Sequence, residues 1–586
     1  MKKTVMVFLF LMLTAVLMPV LANAETSLSN HADNTLMADD PLLSVEVMPS
    51  CDYKVLGSEI CRFDIESICF ENTLEGMPAD AWDVSADRNG SVMAWITDGM
   101  RLHIAANGKI YANENSRGLF AKYANATEIR FNGCLDTSRV TDMYDMFSGC
   151  VKLESLDLSA FHTEKVTDMT WMFSGCRSLK SLNLSGFDTR AVESMAQMFE
   201  ECASLESLDL SMFNTEKVTT MGYMFSDCAS LKSLDLSRFD TRNVSNMSHM
   251  FNYCYSLKTL DLTHFNTENV SNMCCMFYRC YSLRSLDLSS FNTGKVENMG
   301  EMFVDCFSLN TLDVSSFNTD NVTDMNNMFA GCAGLEGLNL KSFHTRKTTD
   351  IASMFKNCRL LKSLDLSGFD TRFVENMSMV FKGCESLEVL ELGDFDTRSA
   401  TTMSSMFEQC RLLKKLDVSG FDTENAIYMD NMFAECNLLE TLDVSGFDTR
   451  NVKAMDGMFA GCHLLETLDV SGFDTRSVTS MSGMFRSCFL LKTLDFSGFD
   501  TQNVTNMSLM FSDCVSLKTL DVGGFDTRNV TNMSLMFNCC SSLEELDVSG
   551  FDVGAIQYHI AGMFQLCDRL GLSWEDVGKP SGNRMK

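Results

Sequence analysis

Proline is scarce. The chain has five in 586 residues (Pro19, Pro41, Pro49, Pro78 and Pro580), and none lies between residues 134 and 567. That stretch therefore has nothing to interrupt a parallel hydrogen-bond ladder. Long apolar runs are also missing: beyond residue 24 no segment stays apolar for the roughly 18 residues a membrane span needs. No cysteine stands at the leader's end to take a lipid, and residues 578–586 are polar, so the sequence predicts export without showing an anchor. Basic side chains are few, with 47 Lys and Arg against 78 Asp and Glu and a formal charge of −31. Such a surface repels nucleic acid and anionic membranes and favours basic or cationic partners. Catalytic patterns are absent as well. There is no metal-ligand spacing of His and Cys, no nucleophile elbow and no phosphate-cradling glycine loop, so no enzymatic activity and no obligatory cofactor are expected.

The N-terminus opens with Lys2 and Lys3, runs apolar from Val5 to Leu21 and reaches Ala22-Asn23-Ala24 before Glu25. This is the pattern of a cleavable secretory signal peptide over residues 1–24. Residues 25–50 read as a loose acidic lead-in. Within residues 51–128 the run "SVMAWITDGMRLHIAANGKIYA" (91–112) alternates and is punctuated by Asp98-Gly99 and Asn107-Gly108, two hairpin signals, so a small β-rich cap is expected there.

From Cys150 to Cys540 a cysteine recurs every 26 residues, sixteen times without an insertion. Strict length is what a stack of coils demands, because one extra residue would push its neighbours out of register. Within a unit, Leu182 and Leu184 alternate with Ser181, Asn183 and Ser185, which predicts a short strand with one buried face. Met195, Met198, Phe199 and Cys202 then follow at offsets of 3, 4 and 7, which predicts one face of a short helix. The residue before the first of these is Asp, Asn, Ser or Thr in fourteen of sixteen units, as expected of helix N-caps. Asp-Thr after the conserved-in-repeat Phe, as in Asp526-Thr527, reads as a turn. Irregular units are expected at both ends, around Ile129 and Phe131 and between Phe551 and Cys567.

The unit "LKSLDLSGFDTRNVSNMSHMF" (231–251) resembles the 26-residue repeat of the BspA-type leucine-rich-repeat surface proteins of bacteria, and the likeness covers about residues 129–567. The expected architecture is an α/β solenoid: a right-handed, curved, leucine-rich-repeat-like stack of about seventeen coils, roughly 80 Å long at strand spacing. Parallel strands would line one face and short helices the other, with the cap before residue 129 and a tail over 568–586. The resemblance implies a secreted or surface-exposed protein that adheres to host or neighbouring-cell proteins. The alternative is a passive spacer without a specific ligand.

The candidate binding site is the strand position between the two leucines, acidic in fourteen of sixteen units. The proposed contact residues are Asp209, Asp235, Asp261, Asp287, Asp313, Asp365, Glu391, Asp417, Asp443, Asp469, Asp495 and Asp521. At strand spacing, neighbouring carboxylates repel by under about 1 kcal/mol in water and by about 3 kcal/mol at an effective dielectric near 20. Either the flanking Ser and Thr hydroxyls or bound cations such as calcium would offset this. Gly337, Lys341, Val389, Gly393 and Lys414-Lys415 break the regular columns, marking either a local epitope or drift. The repeating cysteines read as buried free thiols in the core. Cys51, Cys61 and Cys69 in the cap are the expected disulfide formers.

Overall fold

The computed structural model of the chain describes residues 53–393, 395–552, 560, 562–572 and 577. The expected signal peptide, the acidic lead-in and Cys51 lie outside the described residues.

Seven short strands open the described chain: β1 (Ser67–Glu71), β2 (Trp82–Asp83), β3 (Met93–Thr97), β4 (Arg101–Ala105), β5 (Ile110–Tyr111), β6 (Glu128–Arg130) and β7 (Leu135–Asp136). Five of them form one sheet in the order β2-β3-β4-β1-β6. Strands β3 and β4 are antiparallel and meet at Asp98-Gly99, where Gly99 takes φ of +77°. Glycine has no Cβ to oppose that left-handed backbone. Asn107-Gly108 closes no hairpin, because β5 pairs in parallel with β7 instead of returning along β4. β1 is parallel to both β4 and β6, so the sheet changes from antiparallel to parallel as it approaches the repeats. The buried Arg62 guanidinium donates to the carbonyls of Gly118 (2.7 Å) and Ala121 (3.0 Å) and lies 5.1 Å from the Tyr123 ring centre. Burial pushes the Tyr123 phenol up to about 12. Cys61 and Cys69 are free thiols here, not the bridge formers the sequence suggested.

Beyond the cap the chain winds into coils. One side carries three-residue parallel strands in exact 26-residue register. β8 (Ser155–Asp157) pairs with β9 (Ser181–Asn183), β10 (Ser285–Asp287) with β11 (Thr311–Asp313), and β12 (Ser363–Asp365) with β13 (Val389–Glu391). The two-residue β14 (Thr519–Leu520) and β15 (Glu545–Leu546) pair likewise. A representative coil buries Leu286, Leu288, Phe291, Val296, Met299, Met302, Phe303, Cys306 and Leu309, the positions that the sequence pattern marks as apolar.

The other side differs from expectation: among the described residues it contains no α-helix. Two positions per coil, the second and the sixth after the first Met of the segment, have φ between about +50° and +76° in all sixteen coils, as at Asp145 (+59°), Gly149 (+69°), Gln197 (+59°) and Glu201 (+56°). A right-handed helix cannot pass through such residues. The chain instead makes successive tight turns, such as Met146 N–H to Met143 C=O and Ser148 N–H to Asp145 C=O. The amides of Met143, Asp145, Phe147 and Gly149 point out of their own coil and donate to Asp168, Thr170, Met172 and Ser174 of the next, at 2.7–3.0 Å. Side chains at offsets of 3, 4 and 7 face inward in this train of turns as they would in a helix, which is why the apolar pattern misleads. Most of the supposed N-cap residues do accept a local amide: Asp142 Oδ1 takes Tyr144 N–H at 2.9 Å, and Asn272 Oδ1 takes Cys274 N–H at 3.0 Å. They cap turns, and their backbones form an unbroken series of parallel bridges from Asn115 to Asn532.

The Asp-Thr step holds more than a turn. The sixteen threonines of this column, spaced 26 residues apart from Thr137 to Thr527, are all buried. Thr293 is typical: its Oγ1 donates to the Asn318 carbonyl and accepts the Asn318 amide, both at 2.8 Å. One hydroxyl thus satisfies both backbone groups of a residue in the next coil. Beside this column runs a continuous stack of phenylalanines, with ring centres 5.4–5.9 Å apart from Phe147 to Phe564. The sixteen repeat cysteines are buried, and each thiol points at the carbonyl of the preceding coil's Phe, as Cys280 does at Phe251 (3.2 Å). Burial raises the pKa of fifteen of them, for Cys306 to about 12, while at Cys540 the contact with Cys567 leads.

Thr293→Val keeps the shape but leaves an amide and a carbonyl without their partner. It should cost about 2 kcal/mol or more, read as a lowered urea midpoint, whereas Thr293→Ser should cost clearly less.

Candidate functional site

All twelve predicted contact residues stand exposed on the strand side. The short strand places Leu286 inward and Ser285 and Asp287 outward, so the carboxylate column follows from strand alternation. In eleven of the twelve, every one except Glu391, Oδ1 accepts the backbone amide two residues on at 2.9–3.0 Å. In several the hydroxyl of that same residue also donates, as from Thr263 to Asp261 and from Ser445 to Asp443, both at 2.7 Å.

Each such Asp therefore closes the turn that leaves the strand, with one carboxylate oxygen committed and the other facing solvent. Asn183 and Asn339 make the same turn, so its requirement is a side-chain acceptor and not a charge. Amide and hydroxyl donation hold the carboxyls of Asp209, Asp235 and Asp287 below the ordinary range, led by the backbone donor. At Asp261, Asp365 and Asp443 the hydroxyl leads. Repulsion between neighbours, such as Asp261 and Asp313 on Asp287, is the smaller effect. Local donors thus offset part of the charge. No three carboxylates converge within metal-binding distance among the described residues.

Open depressions also mark the strand side. One, of about 980 Å³, is bordered by Asp287, Asp313, Glu336 and Gly337; another, of about 500 Å³, by Asp235, Asp261 and Asp287. A third, of about 710 Å³, lies against Val389, Glu391, Lys414, Lys415 and Asp417. Two of the three thus include the residues that break the regular columns. Gly337 lacks the side chain that Ser or Thr supplies in twelve of the sixteen coils, and Val389 is 49% exposed.

Two features escaped the sequence reading. At one edge Tyr255, Tyr281 and Phe307 stack with ring centres 4.9 and 5.1 Å apart, and Arg279 lies over Tyr253 and Tyr278. On the turn side, His249, Cys274 and Cys275 place three potential ligand atoms within 4.8 Å of one another, although the histidines look scattered along the sequence. Adding one period to His249 gives Cys275, so the 26-residue arithmetic could have found this group.

A family model described as "Mycoplasma protein of unknown function, DUF285" matches seven overlapping segments from residue 115 to residue 576. The chain belongs to that family. The DUF285 segments comprise the whole run of coils with a 26-residue register. No curated protein matches the chain. Among solved structures it is similar to a leucine-rich cell surface protein from Faecalibacterium prausnitzii (16% identity, covering 54% of this chain and 95% of that one, TM-score 0.26). It is also similar to a leucine-rich-repeat protein from Eubacterium ventriosum (13%, 80% and 96%, TM-score 0.25). A third is the functional domain of InlJ from Listeria monocytogenes, described as including a cysteine ladder (18%, 61% and 73%, TM-score 0.21). No helix among the described residues is long and apolar enough to cross a membrane.

The depressed carboxyls carry a pH consequence. A group whose folded pKa is lowered contributes stability that is complete above its unfolded value of about 3.9 and lost as pH falls through the folded value. Acid unfolding followed by tryptophan fluorescence should therefore begin only below about pH 4.

Proposed function

We propose that this DUF285 chain is a secreted or surface-exposed bacterial binding protein, an adhesin that contacts basic regions of host or neighbouring-cell proteins through its strand side. The observation that carries this reading is the column of exposed carboxylates. Asp235, Asp261, Asp287 and Asp313 each use one oxygen to close a turn and keep the other free, and they border adjoining depressions. Fixed by their turns, these side chains lose little conformational freedom when a cationic partner arrives. The repeat along the stack lets a partner gain affinity from several coils at once. Export rests on the leader pattern of residues 1–24 and adhesion on the BspA-type resemblance of the repeat.

The acceptor role of Asn183 and Asn339 supplies a clean test. Changing Asp235, Asp261, Asp287 and Asp313 together to Asn removes four charges while every turn keeps its acceptor. Surface plasmon resonance against extracellular-matrix and bacterial-surface proteins should show saturable binding by the unaltered chain, weaker at high salt. The fourfold variant should bind roughly tenfold more weakly while staying folded, with a slightly lower thermal midpoint because a neutral amide oxygen is a weaker acceptor than the carboxylate. Binding that survives the change, or no binding by either chain, would favour a passive spacer.

A further inference from the structure

We propose that His249, Cys274 and Cys275 form a site for a borderline-to-soft cation, zinc(II) by its chemistry, that ties two successive coils together. His249 and Cys275 occupy the same left-handed position in neighbouring coils (φ +57° and +55°), so one side chain stands above the other. Cys274 joins them from the preceding position. His249 Nε2 lies 3.8 Å from Cys274 Sγ, and the three ligand atoms fall within 4.8 Å of one another, with Cys275 buried and the other two partly so. Tetrahedral zinc with Zn–S near 2.3 Å and Zn–N near 2.0–2.1 Å requires edges of about 3.6 Å from sulfur to nitrogen and about 3.8 Å between sulfurs. The group is thus close to ligating geometry before any ion enters. Two thiolates and an imidazole favour zinc over the hard cations that carboxylates and carbonyls prefer.

The surroundings point the same way. Asn252 Nδ2 lies 3.0 Å from His249 Nδ1, while Asn252 Oδ1 is buried without any hydrogen-bond partner. Turning that amide end for end lets Oδ1 accept the Nδ1–H of His249 and moves the unpartnered position to Nδ2. The imidazole is then held with Nε2 unprotonated and facing Cys274, the orienting arrangement that ligating histidines commonly have. The Tyr223 ring stacks on His249 with centres 4.1 Å apart and fixes the plane of the imidazole. Glu301 Oε2 lies 3.7 Å from Cys275 Sγ, on the next coil, where it can close the fourth position or hold a water there. Binding displaces the two thiol protons to solvent. The neighbouring units place Tyr223 and Glu301 in the His249 and Cys275 column, and Ser248 and Gly300 in the Cys274 column, so the site occurs once in the stack.

The test uses the full chain, reduced anaerobically and freed of metal with a chelator, then titrated with cobalt(II) as a spectroscopic stand-in for zinc. The expected result is a thiolate-to-cobalt absorption band that saturates at one equivalent and is abolished by zinc. Cys274→Ser with Cys275→Ser should remove the band. His249→Ala should weaken binding about tenfold or more, and Asn252→Ala should weaken it where Asn252→Asp, which keeps an acceptor, does not. X-ray absorption at the zinc edge of the unaltered chain gives a reading free of any folding defect, and should show two sulfurs and one imidazole. A missing or non-saturating band, a band that survives the double cysteine variant, or a zinc shell without sulfur would overturn the proposal.

Discussion

The structure depends on backbone amides that leave their own coil and bond to the next. In a helix every interior amide is spent within the element. Here the amides of Met143, Asp145, Phe147 and Gly149, and their equivalents along the stack, bind the following coil. Each coil thereby becomes the template for its neighbour, and two residues per coil accept a left-handed backbone to make that possible. Such a conformation costs on the order of 1 kcal/mol or more at a non-glycine residue, and it persists because the exported bonds and the buried side chains over-determine it. The same constraint explains why the sixteen regular units have no insertions; the last coil takes one extra residue, and there Phe537 and Cys539 donate to Met563 and Gln565, one residue beyond the regular spacing.

The side chains follow from that frame. At a repeat of one coil, identical residues face each other, so each column must be compatible with itself. Phenylalanines meet this by stacking, and cysteines by pointing at a carbonyl of the preceding coil. The threonines bracket the backbone of the next coil. Aspartates face the hardest case, since like charges repel, and they meet it by accepting an amide and often a hydroxyl from their own turn. What remains on the strand side is a row of half-committed carboxylates, held still and open to solvent.

Much of this was legible in the sequence. The 26-residue interval fixed the coil, and Leu286, Met299, Phe303 and Cys306 were recognisable as core from their spacing. Backbone course on the turn side was not, because offsets of 3, 4 and 7 describe side-chain direction and are met equally by a helix and by this train of turns. The role of the threonines was hidden for a related reason: Asp-Thr is an ordinary turn pair. A Thr in every one of sixteen units, where a turn alone would tolerate variety, was the available signal. His249 and Cys275 lie far apart along the chain and meet only once the period is applied to non-repeating residues. The exposed acidic column was legible, whereas its capture by local turn amides required the bend after the strand.

Far-ultraviolet circular dichroism of the purified protein tests the exported-amide account most directly. Coils built from strands and turns should give a spectrum without the double minimum of α-helix. A pronounced helical double minimum would mean that each coil spends its amides internally, and would contradict the ladder on which the stack is argued to rest.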